Sequence, residues 1–139
     1  MILNNLKILI IDDSKTIRES LKRLLASYGI RSSFVFDTEF PKEGLEMLKE
    51  HSFDLVFVDY EMPEMGGLEW TSIVRKTHNK KQLPIILITG IASRNEIVHM
   101  LRKGVNNYII KPFEALQVEE KIRFTMGLPL REQPKEEDK

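Results

Sequence analysis

Asp54-Leu55-Val56-Phe57-Val58-Asp59 has no polar side chain between its two carboxylates. A strand with one wet face alternates apolar and polar residues, whereas a strand covered on both faces is apolar throughout. This stretch is of the second kind, and it predicts a strand in the middle of a covered sheet. On its N-terminal side, Leu6-Lys7-Ile8-Leu9-Ile10-Ile11 and the weaker Ser33 to Phe36 read as two earlier strands. On its C-terminal side, Ile85-Ile86-Leu87-Ile88-Thr89, opened by Pro84, and Asn107-Tyr108-Ile109-Ile110 read as two later ones.

The segments between them have helical spacing. Ile17, Leu21, Leu24, Leu25 and Tyr28 fall on one face of a helix over Ser14 to Tyr28, and Gly29 follows where a left-handed residue ends it. Phe40 to Glu50, with Pro41 in its first turn, Leu68 to Thr77, Arg94 to Arg102 and Glu114 to Met126 complete five helices, and Met62-Pro63-Glu64-Met65-Gly66-Gly67 is a loop. Five covered strands separated by helix-length segments specify an α/β fold: a five-stranded parallel sheet with right-handed crossovers and helices on both faces. The expected strand order is 2-1-3-4-5, the flavodoxin-like arrangement, whose ligand crevice lies at the carboxyl ends of strands one and three.

The chain of 139 residues is one domain long, since domains run to roughly 100–200 residues. Residues 1–127 form that domain, and 128–139, polar and aperiodic, read as a tail or the start of a linker. Lys+Arg 21 against Asp+Glu 21 leaves no basic excess to grip nucleic acid. The absence of cysteine excludes disulfide frameworks, thiol catalysis and zinc ribbons. No apolar run reaches the ~18 residues of a membrane span, and the apolar start is too short for a signal peptide, so a soluble cytoplasmic protein is expected.

The crevice makes the acidic residues informative. Strand one runs into Asp12-Asp13 and strand three ends in Asp59. Two unit charges 4 Å apart repel by about 4 kcal/mol at an effective dielectric of 20, so converging carboxylates need a cation or a proton. A hard divalent ion such as Mg²⁺ fits oxygen ligands of this kind. Each Asp alone has an ordinary alternative as a turn residue, but three arriving at one crevice do not. Strand four ends in Thr89 beside Gly90, and strand five is followed by Lys111-Pro112. A carboxylate, a metal, a lysine and a hydroxyl at one place suit phosphoryl transfer, where positioning and charge do most of the catalysis.

Asp12-Asp13, Asp59 with Met62-Pro63 and Gly67, Thr89-Gly90 and Lys111-Pro112, in that order on five elements, resemble the receiver domain of two-component response regulators, in particular single-domain chemotaxis regulators. The resemblance spans residues 6 to about 126. It implies that Asp59 is the phosphoacceptor, that Mg²⁺ is held by Asp13 directly, by Asp12 through water, by Asp59 and by the backbone carbonyl of Glu61, and that Lys111 pairs with the phosphoryl group. Thr89 and Tyr108 are the implied switch residues, and a cis Lys111–Pro112 bond is implied too. The implied partners are a histidine kinase or phosphotransfer protein upstream, and a target protein or separate output domain downstream, with a homodimer among the states phosphorylation favours. Catalysis is limited to the chain's own phosphorylation and slow dephosphorylation.

Four positions depart from the family pattern. Gly90 and Val105 stand where Ala is usual, Glu61 where a small or polar residue is common, and Ile91 is apolar; the last two overhang the approach of a hydrolytic water and bear on phosphoryl lifetime. Three other readings compete. A flavin binder needs a phosphate loop where Asp12-Asp13-Ser14 stands; an aspartyl-phosphate phosphatase of the haloacid-dehalogenase kind carries Asp-x-Asp, not adjacent Asp12-Asp13; and a receiver-like interaction module would not need the acidic cluster. The chain also reads equally as a stand-alone regulator or as a module excised from a longer one. His51, His78 and His99 lack metal-ligand spacing and are expected to face solvent, Met47, Met100 and Met126 to pack between elements, Lys80-Lys81 to be solvated, and Phe113 to lie under the last helix.

Overall fold

The computed structural model describes residues 3–90 and 93–130. Ten main elements alternate along it: β1 (Ile8–Ile11), α1 (Lys15–Ser27), β2 (Val35–Thr38), α2 (Pro41–Glu50), β3 (Leu55–Asp59), α3 (Gly67–Val74), β4 (Ile85–Thr89), α4 (Arg94–Arg102), β5 (Asn107–Ile110) and α5 (Ala115–Thr125). All strand pairs are parallel, in the order β2-β1-β3-β4-β5, as expected from the covered strands.

Alternate residues of each strand feed opposite layers. Ile8 and Ile10 of β1 join Leu55, Phe57, Ile86 and Ile88 in a core closed by Leu21 and Leu25 of α1 and Val118 and Ile122 of α5. Leu9 and Ile11 join Val56, Val58, Ile85 and Leu87 in the opposite core, closed by Trp70 and Val74 of α3 and Met100 of α4. Each fully buried side chain of this size contributes about 1.5–3 kcal/mol. The Trp70 indole is wholly buried and donates to the Pro41 carbonyl at 2.9 Å, tying α3 to α2. Met47 and Met126 pack at the margins of the two cores, and Phe113 packs against the α1/α5 layer, as expected.

Several boundaries move for identifiable reasons. The second strand is displaced: Ser32–Phe34 is a 3₁₀ turn, and β2 begins only at Val35. As the sheet edge, β2 is only half-buried over Val35 to Asp37, so it lacks the apolar run that marks the inner strands. β1 starts two residues later than expected, because the Leu6 amide is spent on the Leu3 carbonyl and that of Lys7 on the Asp54 carboxylate. α3 includes Gly67 and stops at Val74, short of Thr77. There the Arg75 guanidinium gathers the carbonyls of His78, Asn79, Leu83 and Gly104 and the Asn106 amide oxygen, winding the chain around it in turns.

His51 does not face solvent. It is half-buried between Phe36, 4.6 Å away centroid to centroid, and Phe53, and its Nδ1 lies 3.1 Å from the Lys7 ammonium. His78 is also half-buried, sharing a hydrogen bond with Thr77, while His99 is exposed. The Lys80 ammonium is less free than expected, donating to the Leu101 carbonyl at 3.2 Å. Past α5, Leu128 packs on the core and its amide donates to the Arg123 carbonyl. No helix among the described residues is long and apolar enough to cross a membrane.

Candidate active site

Register brings the acidic residues together. Ile11 is abreast of Val58, so Asp12, the next residue, emerges beside Asp59, the last residue of β3. β4 delivers Thr89 on the other side, and the Lys111 amide bonds the Thr89 carbonyl at 2.8 Å, fixing the exit of β5. The Lys111–Pro112 bond is cis. Asp13, Asp59, Tyr60, Glu61, Thr89, Gly90 and Lys111 line a cavity of about 410 Å³ at this end of the sheet.

One oxygen from each of Asp12, Asp13 and Asp59 lies within 4.8 Å of the others. Asp12 and Asp59 are buried and Asp13 is exposed. The Lys111 ammonium sits between two of them, 3.2 Å from Asp59 Oδ1 and 3.6 Å from Asp12 Oδ2. One cation among three carboxylates leaves an excess of negative charge. Burial, reinforced by the Asp12 charge, pushes the Asp59 carboxyl up to about 6 against the pull of Lys111. Burial raises Asp12 as well. Burial alone would lower Lys111, but Asp12 and Asp59 outweigh it and hold the ammonium above its ordinary value.

These residues fit a divalent ion. Asp12 Oδ1 accepts the Ser14 amide at 2.8 Å, but its buried Oδ2 accepts no hydrogen bond among the described residues. An orphaned buried carboxylate oxygen beside two further carboxylates is a hard, anionic donor set of the kind Mg²⁺ takes.

The profile of the response regulator receiver domain matches residues 8–123. The chain belongs to that family. Receivers of this kind are switch modules of two-component signalling, and the chain is 40% identical over 118 residues to chemotaxis protein CheY-3 of Vibrio cholerae, covering 85% of this chain and 89% of that one. It is 37% identical over 117 residues to chemotaxis protein CheY of Pseudomonas aeruginosa, covering 84% and 93%. Among solved structures, Vibrio cholerae CheY4 matches with TM-score 0.78 and 26% identity, over 86% of this receiver and 98% of that chain. A probable two-component response regulator/GGDEF domain protein matches with TM-score 0.83 and 28% identity; the receiver spans 91% of its own length and 51% of that protein.

The receiver's structure gathers Asp12, Asp13, Asp59, Glu61, Thr89 and Lys111 at one crevice. Tyr108 stands apart. Its neighbour on β4 is Leu87 rather than Thr89, it does not line the cavity, and the Lys121 ammonium lies 4.2 Å from its ring centroid. Ile91, expected over the water approach, lies outside the described residues. At Gly90 an added Cβ would meet nothing within 4 Å among the described residues, so their packing does not demand glycine there. Val105, the other departure from Ala, is wholly buried in the core beneath α4. Tyr60 was not anticipated as a wall of the cavity; its place directly after Asp59 was the available signal.

Proposed function

We propose that this receiver is a phosphorylation switch in which Asp59 takes a phosphoryl group from a histidine kinase or phosphotransfer protein. The observation that carries the reading is the Asp12–Asp13–Asp59 cluster with Lys111 bridging Asp12 and Asp59. Above pH about 6 the Asp59 carboxyl is ionised and nucleophilic. One of its oxygens attacks phosphorus, a P–O bond forms, and the bond to the donor nitrogen or oxygen breaks with its electron pair leaving on the donor. Lys111 supplies the fixed positive charge beside the reacting carboxylate, and Thr89 presents its hydroxyl from the end of β4. Mg²⁺, held by Asp12, Asp13, Asp59 and the Glu61 carbonyl, would neutralise charge on the transferring group.

In this reading residues 1–127 are the switch and the segment from 128 is a tail or linker. The working compartment is the cytoplasm, and the phosphorylated form engages a downstream target, a separate output domain or a second copy. Incubation with Mg²⁺ and acetyl phosphate is expected to add one base-labile phosphoryl group per chain, and none with a chelator present. Addition that ignores the chelator would contradict the metal-assisted reading.

A bound phosphoryl group shifts a population only by contacting one state better than the other. Thr89 and Tyr108 are the proposed moving parts, so the responding face is α4, β5 and α5. NMR shifts on adding beryllofluoride with Mg²⁺ are expected to extend to His99, Arg102, Lys103 and Asn107. Shifts confined to the loops around Asp59 would mean that the signal leaves by another face.

A further inference from the structure

The carboxylate of Asp12 is held by more than its neighbours in the cavity. Its amide donates to the Thr38 carbonyl at 3.1 Å, its Oδ1 accepts the Ser14 amide, and its own carbonyl accepts Arg18 Nη1 at 2.8 Å. With three of its polar groups tied, Oδ2 is the one buried oxygen of Asp12 without a hydrogen bond among the described residues. Arg18 lies one turn into α1, four residues after the capping Ser14, with its side chain 13% exposed. It is itself oriented: Nε donates to Asp37 Oδ2 at 2.8 Å, and Lys22 holds the other Asp37 oxygen at 2.6 Å. Burial would raise the Asp37 carboxyl, but Lys22 and Arg18 prevail and hold it below its usual range, so the anchor is ionised at neutral pH.

We propose that Arg18 is a positioning residue for the metal and phosphoryl site, a fork between Asp37 of β2 and the Asp12 carbonyl that aims the Asp12 carboxylate. The inference rests on the metal reading of the cluster given above. A guanidinium has the planar, multi-donor geometry to serve both acceptors at once, which a single ammonium does not. Groups that hold a ligand from behind typically matter by 10–100-fold in metal affinity.

Sign separates this role from simple charge. If Arg18 acted only as a nearby cation, removing it would relieve repulsion and tighten divalent binding. If it positions Asp12, removing it loosens binding. Calorimetric titration with Mg²⁺ is expected to give about ten-fold weaker binding for Arg18→Ala. Arg18→Met, which keeps an unbranched apolar stem of similar reach without the guanidinium, should lose as much, and serves if the alanine variant does not fold. Lys22→Ala, which removes the other cation on Asp37 but leaves the carbonyl contact, should match wild type. With acetyl phosphate, the Arg18 variants should need more Mg²⁺ for half-maximal labelling while keeping most of the rate at saturating Mg²⁺. Unchanged or tighter Mg²⁺ binding by both Arg18 variants, beside normal wild-type binding, would overturn the inference alone. A wild-type chain that binds no Mg²⁺ would overturn the metal reading beneath it.

Discussion

Exchanging Asp59 for Asn should make the metal-free receiver more stable at neutral pH, by up to about 3 kcal/mol. The carboxyl titrates at about 6 in the folded chain against 3.8 without the fold's influence, because it is buried beside Asp12. Between those two values the folded chain binds more protons than the unfolded one, so wild-type stability falls as pH rises through that window. Above pH about 6 the cost is complete. Asn keeps the size of the side chain and an oxygen for the Lys111 ammonium, now 3.2 Å from Asp59 Oδ1, while removing the charge. The full shift is an upper bound, since Lys111 then has one buried anion fewer to pair with. Urea denaturation with a chelator present should show the variant ahead at pH 7, with the gap closing toward pH 4. A variant less stable than wild type at pH 7, or a gap that does not change with pH, would mean that Asp59 is not under electrostatic strain.

Gly67→Ala should destabilise the receiver by up to about 2 kcal/mol and impair the site with it. Gly67 opens α3 directly beneath Asp59: an added Cβ would press into the Asp59 backbone carbonyl and come within 2.7 Å of Leu87 Cδ1. Leu87 can rotate a little, but a strand carbonyl cannot, so either α3 retreats or the end of β3 shifts. Alanine gains about 1 kcal/mol over glycine in helix propensity and overpacking costs about 1–3 kcal/mol; because the Cβ meets rigid backbone, the cost falls at the upper end and the clash prevails. Gly90→Ala is the matched control, since a Cβ there meets nothing within 4 Å among the described residues, and it should leave stability nearly unchanged. Thermal denaturation of the two variants measures the contrast. Equal melting temperatures would show that α3 moves aside freely.

The inner strands and the ends that carry the site were legible in the sequence because their constraints are local. β3 and β4 are apolar at every position but their last, and those last residues, Asp59 and Thr89, are where the crevice lies. The parallel order then brings Asp12 to Asp59 without knowledge of any side chain. Edge strand β2 was misplaced because it is only half-buried over Val35 to Asp37, and because Ser33 and Phe34, which belong to a 3₁₀ turn, looked no different from strand residues. Arg18 and Arg75 could not be read at all. Each is an arginine in or beside a helix, indistinguishable by pattern from a solvated one, and their partners are carbonyls or side chains set by the fold: Asp37 lies 19 residues from Arg18, and Asn106 lies 31 from Arg75. His51 was misjudged for the same reason, since Phe36 and Phe53 meet around it only once β2 and β3 are both built.

Asp59 is the proposed phosphoacceptor, and locating the phosphoryl group on the chain is the direct test. Wild-type chain treated with Mg²⁺ and acetyl phosphate would be trapped by borohydride reduction, which converts an aspartyl-phosphate to homoserine, and the modified residue placed by peptide mass spectrometry. The expected result is one conversion, at Asp59, absent from Asp59→Asn and from chain treated with a chelator. Conversion at Asp12 or Asp13 in the wild type, or undiminished phosphorylation of Asp59→Asn, would contradict the assignment.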